Sequence, residues 1–381
     1  MIVFHHPKSL EVPAVVASVV RPMCMARAFR EIGQEVVEVT GDGDERIRRA
    51  RDLERRLSDP AESADALLYA ESVNVPPALT WLRRRPWRLN FDYSFLQRVH
   101  DRGVPTGLFY RDIHWILGRA KAKSFGPRLR HFVTPFFARH ELRRYRRCLD
   151  LLFLPHEAMM RYLPADFPAD VCSLPPGGWA RPLAERNPAL RQQGRLRLVY
   201  VGNIAPPIYD LRPYLEALES VDCAEVQLVT RARALGQFGH LYDFDRKPSV
   251  TVCEAHGDGL VPYYQEAEVA FTTLGQDEYL SFAMPVKVFE AISFGVPQIV
   301  SAGLEVAARL IEEENLGWVV QGPGEFAGLL RHLAERPEEV ARKRESVLEA
   351  RSRHSWQARA REVVAQLTTR RQAAGQSQEA P

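Results

Sequence analysis

Short apolar runs alternate with helix-length amphipathic stretches along this chain, and the alternation occurs twice. Apolar runs that are separated by segments long enough for a helix are typical of parallel strands joined by crossover helices. The pattern therefore predicts an α/β chain with two doubly wound parallel sheets. The predicted strands are residues 2–4, 36–39, 66–69, 107–110, 151–154 and 171–174 in the first series, and 196–201, 226–229, 250–253, 269–272, 298–300 and 318–320 in the second.

A stretch rich in proline and glycine separates the two series and predicts a domain boundary. We assign residues 1–175 to an N-terminal domain, 176–195 to a linker and 196–352 to a C-terminal domain. Residues 353–370 are predicted to form a helix that returns to the N-terminal domain, because its single apolar stripe needs a surface to cover. Residues 371–381 are predicted to be a disordered tail. Open parallel sheets bind ligands beyond the carboxyl ends of their strands, so we expect the two domains to face each other across a ligand-binding cleft.

The composition is that of a globular protein in a reducing compartment. Hydrophobic residues make up 46% and charged residues 26% of the 381 residues, which excludes disordered, collagen-like and coiled-coil chains. The five cysteines are widely spaced and include no CxxC pair, so neither a disulfide framework nor a structural zinc site is expected. No apolar run approaches the roughly 20 residues that a membrane span needs. We expect a cytoplasmic protein.

Residues 281–297 carry the strongest indication of a ligand. Pro285 suits the start of a helix and Gly295 suits its end, so the amides before this helix offer an anion site. Lys287 lies in the first turn, where the helix dipole disfavours a cation unless an anion binds there. Glu290 lies on the same face, so the pair suits a nucleoside diphosphate, with the lysine on the phosphates and the carboxylate on the ribose hydroxyls. The alternative is a surface lysine and glutamate that form a weak pair.

The same segment resembles a known family. Pro285, Lys287, Glu290, Gly295 and Pro297 match the pattern P-x-K-x-x-E-x-x-x-x-G-x-P of GT-B glycosyltransferases, especially those of the family 4-like group. The resemblance implies a GT-B fold of two Rossmann-like domains with a C-terminal helix that crosses back. It also implies transfer of a sugar from a nucleotide donor, held by the C-terminal domain, to an acceptor held by the N-terminal domain.

The resemblance implies further donor-binding residues. The turn after the strand predicted at 196–201 resembles the turn that opens the donor domain in such enzymes, and its glycine allows the backbone to approach a phosphate or sugar closely. The alternative is a simple tight turn. The hydroxyl of Ser281 and the amides that follow it are candidate diphosphate contacts. The expected donor-binding residues are Gly202, Asn203, Ile204, Ser281, Phe282, Met284, Lys287 and Glu290.

One position departs from the pattern of the retaining enzymes of family 4. They commonly carry a second acid eight positions before the ribose glutamate, and that position is Phe282 here, so retaining stereochemistry is not implied. The turn at Gly202 and the serine ahead of Lys287 are more similar to bacterial exopolysaccharide transferases such as the inverting xanthan glucuronosyltransferase. We expect a UDP-sugar as donor, with GDP- and dTDP-sugars as open alternatives.

An inverting transfer needs a general base that deprotonates the acceptor hydroxyl. Asp112 and His114 directly follow the fourth predicted strand, so we expect their side chains to enter the cleft. We predict that one of them is the base, or that the carboxylate orients the imidazole. The alternative is an ion pair between Arg111 and Asp112 that holds the loop. The histidines that end the first predicted strand, His5 and His6, rank second as cleft residues.

Residues 119–147 form a basic segment with ten Lys or Arg residues and one acid. Ala138, Leu142, Tyr145 and Leu149 form a stripe that predicts a helix with one core-facing side and a cationic remainder. This surface suits an anionic membrane or a lipid-diphosphate-linked acceptor, each charge contributing about 1 kcal/mol. The alternative is an ordinary solvated helix face. Nucleic acid is not expected as a partner, because no nucleic-acid-binding module accompanies the patch.

The expected function is that of a hexosyltransferase that needs no metal and no other cofactor. It would act as a cytoplasmic or peripheral membrane enzyme that builds a cell-surface polysaccharide or glycolipid. Asp243 and Asp245 have the spacing of an acidic metal-binding motif, but no suitable strand precedes them. Two alternatives stay open. One is a nucleotide-sugar 2-epimerase of the same fold, and the other is a partner subunit that binds a nucleotide sugar without turnover.

Overall fold

The computed structural model describes residues 1–11, 17–73, 76–81, 88–113, 125–164, 167, 170–181, 194–274 and 278–379. This part of the chain contains two six-stranded parallel sheets. The prediction of an α/β chain with two parallel sheets is confirmed. The chain divides into two compact units, an N-terminal unit of Met1–Pro175 with Trp356–Pro381 and a C-terminal unit of Pro176–Ser355.

Six strands form the N-terminal sheet: β1 Ile2–His5, β2 Val36–Val39, β3 Leu67–Glu71, β4 Thr106–Phe109, β5 Leu151–Leu154 and β6 Asp170–Ser173. Their order is β2-β1-β3-β4-β5-β6, and each strand is parallel to its neighbours. The chain leaves β1 for β2 on one side and returns to β3 on the other side. The topological switch point of this sheet, where ligands of such sheets bind, therefore lies between the carboxyl ends of β1 and β3.

The helices of the N-terminal unit connect these strands and cover them. Helix α2 shows why such segments are helical: the Asp42 side chain accepts a hydrogen bond from the Glu45 amide at 3.2 Å, and Ile47, Ala50 and Leu53 form its buried face. The helices of this unit are α1 Ala17–Glu31, α2 Gly43–Arg56, α3 Pro60–Asp65, α4 Pro77–Trp81, α5 Phe91–His100, α6 Phe125–Tyr145 and α15 Trp356–Glu379.

Six further strands form the C-terminal sheet: β7 Leu196–Val201, β8 Ala224–Thr230, β9 Val250–Glu254, β10 Val269–Thr272, β11 Gln298–Ser301 and β12 Gly317–Val320. Their order is β12-β11-β10-β7-β8-β9, and all neighbours are parallel. The chain moves from β7 through β8 to β9 and then returns to β10 on the other side of β7. The switch point of this sheet therefore lies between β7 and β10.

The C-terminal unit buries one aromatic cluster under its sheet. The rings of Tyr200 and Phe326 lie 5.3 and 5.4 Å from that of Phe271, and all three are nearly inaccessible to solvent. Burying each such ring contributes about 1.5 to 3 kcal/mol. The helices of this unit are α7 Arg212–Glu219, α8 Ala232–Phe238, α9 Val261–Glu266, α10 Glu278–Ser281, α11 Val286–Ser293, α12 Glu305–Glu313, α13 Pro323–Glu335 and α14 Pro337–Ala350.

The last helix, α15, packs within the N-terminal unit, where it contacts α1, β3 and β4. Its predicted stripe is buried, with Trp356, Ala360, Val363 and Leu367 between 0% and 2% exposed. The tail predicted to be disordered beyond residue 370 is helical to Glu379. Glutamine and alanine account for five of residues 371–379 and are good helix formers, so they extend a helix that packing has already nucleated.

Candidate functional site

A lysine ammonium lies directly over the end of β7. Lys287 Nζ donates a hydrogen bond to the carbonyl oxygen of Val201 and lies 5.4 Å from the centroid of the Tyr200 ring. A Cβ at position 202 would overlap Lys287 Nζ and the Tyr200 hydroxyl, so this arrangement requires Gly202. The glycine that the sequence predicted to permit a close approach therefore admits a cation from α11 to the strand end.

Helix α11 carries both residues of the predicted pair on its partly buried face. The helix begins after Pro285, which serves as N-cap with a φ of −65°, and Gly295 follows its end with a φ of +69°. Phe289 faces the core and is fully buried, whereas Lys287 and Glu290 remain partly accessible. The site therefore lies beside the switch point between β7 and β10, where the general rule for open α/β sheets places a ligand.

Positive charge exceeds negative charge at the end of β7, where, among the described residues, Lys287 and Arg231 face the single carboxylate of Glu290. Burial lowers the pKa of Lys287 to about 8, the Glu290 carboxylate opposes this shift, and the Arg231 guanidinium adds to it. Lys287 also lies in the first turn of α11, where the helix dipole is positive. Burial, Arg231 and the helix dipole all disfavour the protonated lysine, and a bound anion would oppose these three effects. The site therefore suits a negatively charged group.

The carboxylate of Glu290 is held by a buried tyrosine. The Tyr264 hydroxyl donates a hydrogen bond to Glu290 Oε2 at 3.2 Å, and the Tyr264 ring stacks on Phe294 at 4.6 Å between centroids. Burial raises the pKa of Glu290, while Lys287, the Tyr264 hydroxyl and Arg181 lower it. Tyr264 itself is 2% exposed. One carboxylate oxygen is thus fixed, which orients the other.

Sequence reasoning missed three residues of this cluster. Tyr264 lies on α9, and its distance along the chain from Glu290 gave no signal. Arg181 lies in the predicted linker, where it forms an ion pair with Asp258 at 2.7 Å. Arg231 directly follows β8, the strand beside β7, and this placement was a usable signal, because neighbouring parallel strands end at the same edge of a sheet.

The turn after β7 is tied down by its own hydrogen bonds. Asn203 Oδ1 accepts from the Ile204 amide at 2.9 Å, and the Tyr200 hydroxyl donates to the Asn203 carbonyl at 2.6 Å. Ile204 is fully buried in the core of the unit, and its carbonyl accepts from the Tyr242 hydroxyl at 2.7 Å. The side chain of Ile204 and its amide thus both have partners within the C-terminal unit, and its contact with the donor stays a prediction.

The loop before α11 carries the candidate diphosphate contacts Ser281, Phe282 and Met284. The Ser281 hydroxyl donates to the Glu278 carbonyl at 2.8 Å, and the Ala283 amide donates to Leu280 at 3.1 Å. Ser281 and Phe282 are buried, and Met284 packs against the hydrophobic cluster beneath α11. These contacts lie at the end of the short helix α10, and the roles of Ser281, Phe282 and Met284 at the diphosphate stay predictions.

One of the two predicted base residues, Asp112, lies beyond the carboxyl end of β4 in the N-terminal sheet. Asp112 follows β4 and is partly buried. The amide of Arg111 beside it donates to the Ser72 hydroxyl at 2.9 Å. His114 lies outside the described residues. The structure does not test the role of either residue.

The basic segment contains α6, and side chains are described from residue 135 onward. The predicted stripe of Ala138, Leu142, Tyr145 and Leu149 is buried. Phe136 is 69% exposed, which makes it the most exposed large hydrophobic side chain in the described part of the chain. The exposed cations of this region are Arg139, Arg143, Arg146 and Arg147.

The start of the predicted linker packs against the back of α11. A Cβ at Gly178 would overlap the Phe289 carbonyl and the Ser293 side chain, and the Gly178 amide donates to the His354 carbonyl at 2.9 Å. Arg351 Nε donates to the Ser293 carbonyl at 3.0 Å. Residues 176–181 are therefore part of the C-terminal unit, and they brace the helix that carries Lys287 and Glu290.

The described residues contain no group of three or more His, Cys, Asp or Glu side chains that could hold a metal ion. Within the same ranges, every helix is too short or too polar to cross a bilayer.

One protein-family profile matches the second half of the chain. A family profile described as "Glycosyl transferase-like" matches residues 218–365, which include Lys287 and Glu290. A search of curated proteins gave no significant match.

Solved structures match nearly the whole chain. Sucrose-phosphate synthase from Thermosynechococcus elongatus superposes with a TM-score of 0.60 at 16% identity, covering 98% of this chain and 99% of that one. HepE from Anabaena, in complex with UDP-glucose, gives 0.59 at 12% identity, covering 97% and 99%. The fold is GT-B. WaaG, a glycosyltransferase involved in lipopolysaccharide biosynthesis, gives 0.55 at 15% identity, covering 97% and 100%.

These matches confirm the GT-B fold class that the sequence pattern predicted. They do not distinguish the group similar to the xanthan glucuronosyltransferase, so that closer relationship stays a prediction.

Proposed function

We propose that this protein is a glycosyltransferase that takes a sugar from a UDP-sugar donor. The observation that carries the proposal is the pairing of Lys287 with Glu290 on α11, beside the glycine that ends β7. The glycosyltransferase-like profile covers α11, and a structure of the same fold, HepE, is in complex with UDP-glucose. Both observations support a nucleotide-sugar donor.

In this proposal Lys287 neutralises the diphosphate that leaves the sugar. Its ammonium lies at the carboxyl end of β7 with Arg231 near it, so two cations serve one anionic group. Charge-assisted hydrogen bonds of this kind contribute about 1.5 to 3 kcal/mol each. Because negative charge grows on the diphosphate as the glycosidic bond breaks, these cations stabilise the transition state more than the bound donor.

Glu290 then receives the ribose hydroxyls of the nucleotide. Tyr264 occupies Oε2 of the carboxylate, which leaves Oε1 to accept from the ribose. A buried carboxylate fixed by a tyrosine loses little freedom when it binds, so it can hold the nucleotide in a single orientation. We propose further that Asp112 or His114 is the base for the acceptor hydroxyl, and that the reaction needs no metal.

The acceptor in this proposal is a glycan or a lipid-diphosphate-linked sugar at an anionic membrane surface, as in cell-surface polysaccharide synthesis. The support is the face of α6 and its following turn, where exposed arginines lie near the exposed ring of Phe136. An apolar ring among cations is the arrangement that binds anionic interfaces.

Vesicle sedimentation tests the membrane surface. We expect sedimentation with anionic vesicles at low salt, little with neutral vesicles, and weaker binding for Phe136→Ser and for Arg143→Gln. Equal sedimentation with both vesicle types would contradict the proposed binding to an anionic membrane but would not bear on the proposed transferase activity.

Thermal unfolding in the presence of UDP, GDP, dTDP and ADP tests the donor site. A ligand at about 100 times its Kd stabilises the folded chain by about 2.7 kcal/mol, which raises the Tm by several degrees. We expect UDP to give the largest shift. No shift with any of the four nucleotides would contradict the proposal.

Product analysis separates the alternatives. Incubation with the donor alone yields an epimerised nucleotide sugar if the protein is a 2-epimerase, and a transferase instead requires an acceptor for sugar transfer. A partner subunit would show the UDP-induced shift without turnover of any donor. We expect no epimer, and transfer once an acceptor is present.

A further inference from the structure

Three buried polar side chains meet at the switch point of the N-terminal sheet. The register pairs His5 with Ala70 in adjacent parallel strands, so the next residues, His6 and Glu71, lie side by side at the carboxyl edge. Arg21, from α1, reaches the same place. Their exposed fractions are 0% for His6, 3% for Arg21 and 1% for Glu71. Such burial of ionisable side chains is uncommon, and it occurs here where open α/β sheets bind ligands.

Tyr69 and Phe109 hold the Arg21–Glu71 ion pair in place. Arg21 Nε lies 3.3 Å from Glu71 Oε1, and the same oxygen accepts a hydrogen bond from the Tyr69 hydroxyl at 2.8 Å. The Arg21 guanidinium carbon stacks over the Phe109 ring at 3.5 Å from its centroid. One carboxylate oxygen and one face of the guanidinium are therefore fixed by the fold.

Four other polar atoms of the cluster lack a partner in the described part of the chain, whereas His6 Nδ1 lies 3.1 Å from the Lys8 carbonyl oxygen. Within the described residues, His6 Nε2, Arg21 Nη1 and Nη2, and Glu71 Oε2 are buried without a hydrogen bond. Each buried polar atom left in this state costs about 1 to 3 kcal/mol. Orphaned donors and an orphaned acceptor at one point indicate a site that a ligand completes.

The neighbouring histidine shows that the fold can satisfy such groups. His5 Nε2 lies 3.0 Å from Asp92 Oδ1, and the other Asp92 oxygen accepts from Trp81 Nε1 at 2.7 Å. Arg46 Nε lies 2.8 Å from Asp92. His5 Nε2 and both Asp92 oxygens therefore have partners, whereas His6 Nε2, one residue along the chain, has none within the described residues.

The chemistry of the orphaned atoms selects their ligand. Burial lowers the pKa of His6 to about 3, so its ring is neutral. Burial also raises the pKa of Glu71, and the Arg21 guanidinium, which pairs with this carboxyl group at 3.3 Å, opposes that rise. Arg21 offers donors and Glu71 Oε2 offers an acceptor, and a sugar hydroxyl both accepts and donates. A strongly anionic ligand would meet the Glu71 carboxylate, and an apolar ligand would leave all four atoms unpaired.

We propose that His6, Arg21 and Glu71 form a binding subsite for one hydroxylated sugar ring in the N-terminal unit. The assignment of that ring to the acceptor rests on the proposed transferase function; the subsite itself rests on the orphaned atoms. Arg21 donates to one ring hydroxyl, a hydroxyl donates to Glu71 Oε2, and His6 Nε2 completes the set.

Saturation-transfer NMR with methyl glycosides of glucose, galactose, mannose and N-acetylglucosamine tests the subsite on the full chain with saturating UDP. The double variant Arg21→Met, Glu71→Gln keeps an acceptor for Tyr69 and leaves no buried charge unpaired. We expect at least one glycoside to bind the wild type and its transfer signal to fall at least tenfold in the double variant. His6→Asn retains a group near Nδ1 but removes Nε2, and we expect it to weaken the same signal.

Two controls separate binding from folding. His5→Gln keeps a donor for Asp92 and should retain the glycoside signal. Without ligand, the double variant should melt at the wild-type temperature or above, because replacing a buried ion pair by neutral groups is often neutral or stabilising. A purely structural pair would instead lower the melting temperature and leave the glycoside signal unchanged in the folded fraction.

Two results would overturn the subsite. One is the absence of transfer from every glycoside to the wild type, which would mean that water alone occupies the cluster. The other is an equal signal in the wild type and in both variants. The UDP-induced thermal shift tests the donor site separately. If the shift persists while the subsite fails, the donor proposal stands. If the wild type shows no shift, that result counts against the donor proposal alone.

Discussion

The two sheets of this protein have the same architecture but differ in what lies at their switch points. At the end of β7, Lys287 and Arg231 outnumber the Glu290 carboxylate, and Glu290 and Lys287 already have protein partners. At the ends of β1 and β3, Arg21 pairs with Glu71, and several polar atoms have no partner within the described residues.

This difference follows from the kind of ligand that each edge suits. Cations can attract a diphosphate even when they already have protein partners, because the attraction between charges is not strongly directional. A neutral sugar is held only by directional hydrogen bonds, so its site must keep donors and acceptors unsatisfied until it arrives. The comparison therefore assigns anion binding to the C-terminal edge and hydroxyl binding to the N-terminal edge.

The largest expected effect comes from removing the cation at β7. Lys287→Met should weaken UDP binding by about 30- to 100-fold, because a charge-assisted hydrogen bond worth roughly 2 to 3 kcal/mol is lost. Isothermal titration calorimetry measures the change. Lys343→Met is the matched control, since this lysine is also partly buried in the C-terminal unit and lies 5.7 Å from the centroid of an aromatic ring, that of Trp318. Equal loss in the two variants would break the comparison.

Glu290→Gln should weaken UDP binding by about tenfold, since a neutral amide accepts more weakly from the ribose hydroxyls than a carboxylate does. The variant should also reduce the preference for UDP over 2′-deoxy-UDP, measured as the ratio of the two Kd values. An unchanged ratio would show that the carboxylate does not contact the ribose.

The pKa of Lys287 predicts how binding depends on pH. Burial lowers this pKa to about 8, and a bound diphosphate would raise it, so binding takes up a proton above pH 8. The Kd for UDP should change little between pH 7 and 7.5 and should rise about tenfold by pH 9. In Lys287→Arg the cation stays charged, so the dependence should flatten. A steep dependence in that variant would assign the titration to another group.

The smallest expected effect on UDP binding comes from the buried tyrosine, Tyr264. Tyr264→Phe keeps the stack on Phe294 but removes the hydrogen bond to Glu290, worth about 1 kcal/mol. We expect UDP binding to weaken by about three- to fivefold and 2′-deoxy-UDP binding to change less. The same loss for both nucleotides would indicate a structural role only.

Periodicity accounts for the part of the fold that the sequence could predict. All twelve predicted runs are strands, because strands buried on both faces leave short apolar runs between helices. The prediction of a disordered tail beyond residue 370 was wrong, since a small and polar composition suggested disorder where the preceding packed turns continue the helix. Helix ends depend on packing that a composition argument does not contain.

The candidate site was predictable where its residues share one element or directly follow a strand of the sheet. Lys287 and Glu290 are three residues apart, so helical periodicity placed them on one face. Tyr264 and Arg181 reach Glu290 from elements that are distant along the chain, and no spacing rule connects them. The partners of Ser281 and Ile204 within the fold, Glu278 and Tyr242, likewise became apparent only from the folded chain.

The most direct test of this account is a crystal structure of the protein with UDP. The account predicts that the diphosphate lies within hydrogen-bond distance of Lys287 Nζ at the end of β7 and that the ribose hydroxyls contact Glu290 Oε1. A diphosphate bound elsewhere, with Lys287 still on the Val201 carbonyl, would contradict it.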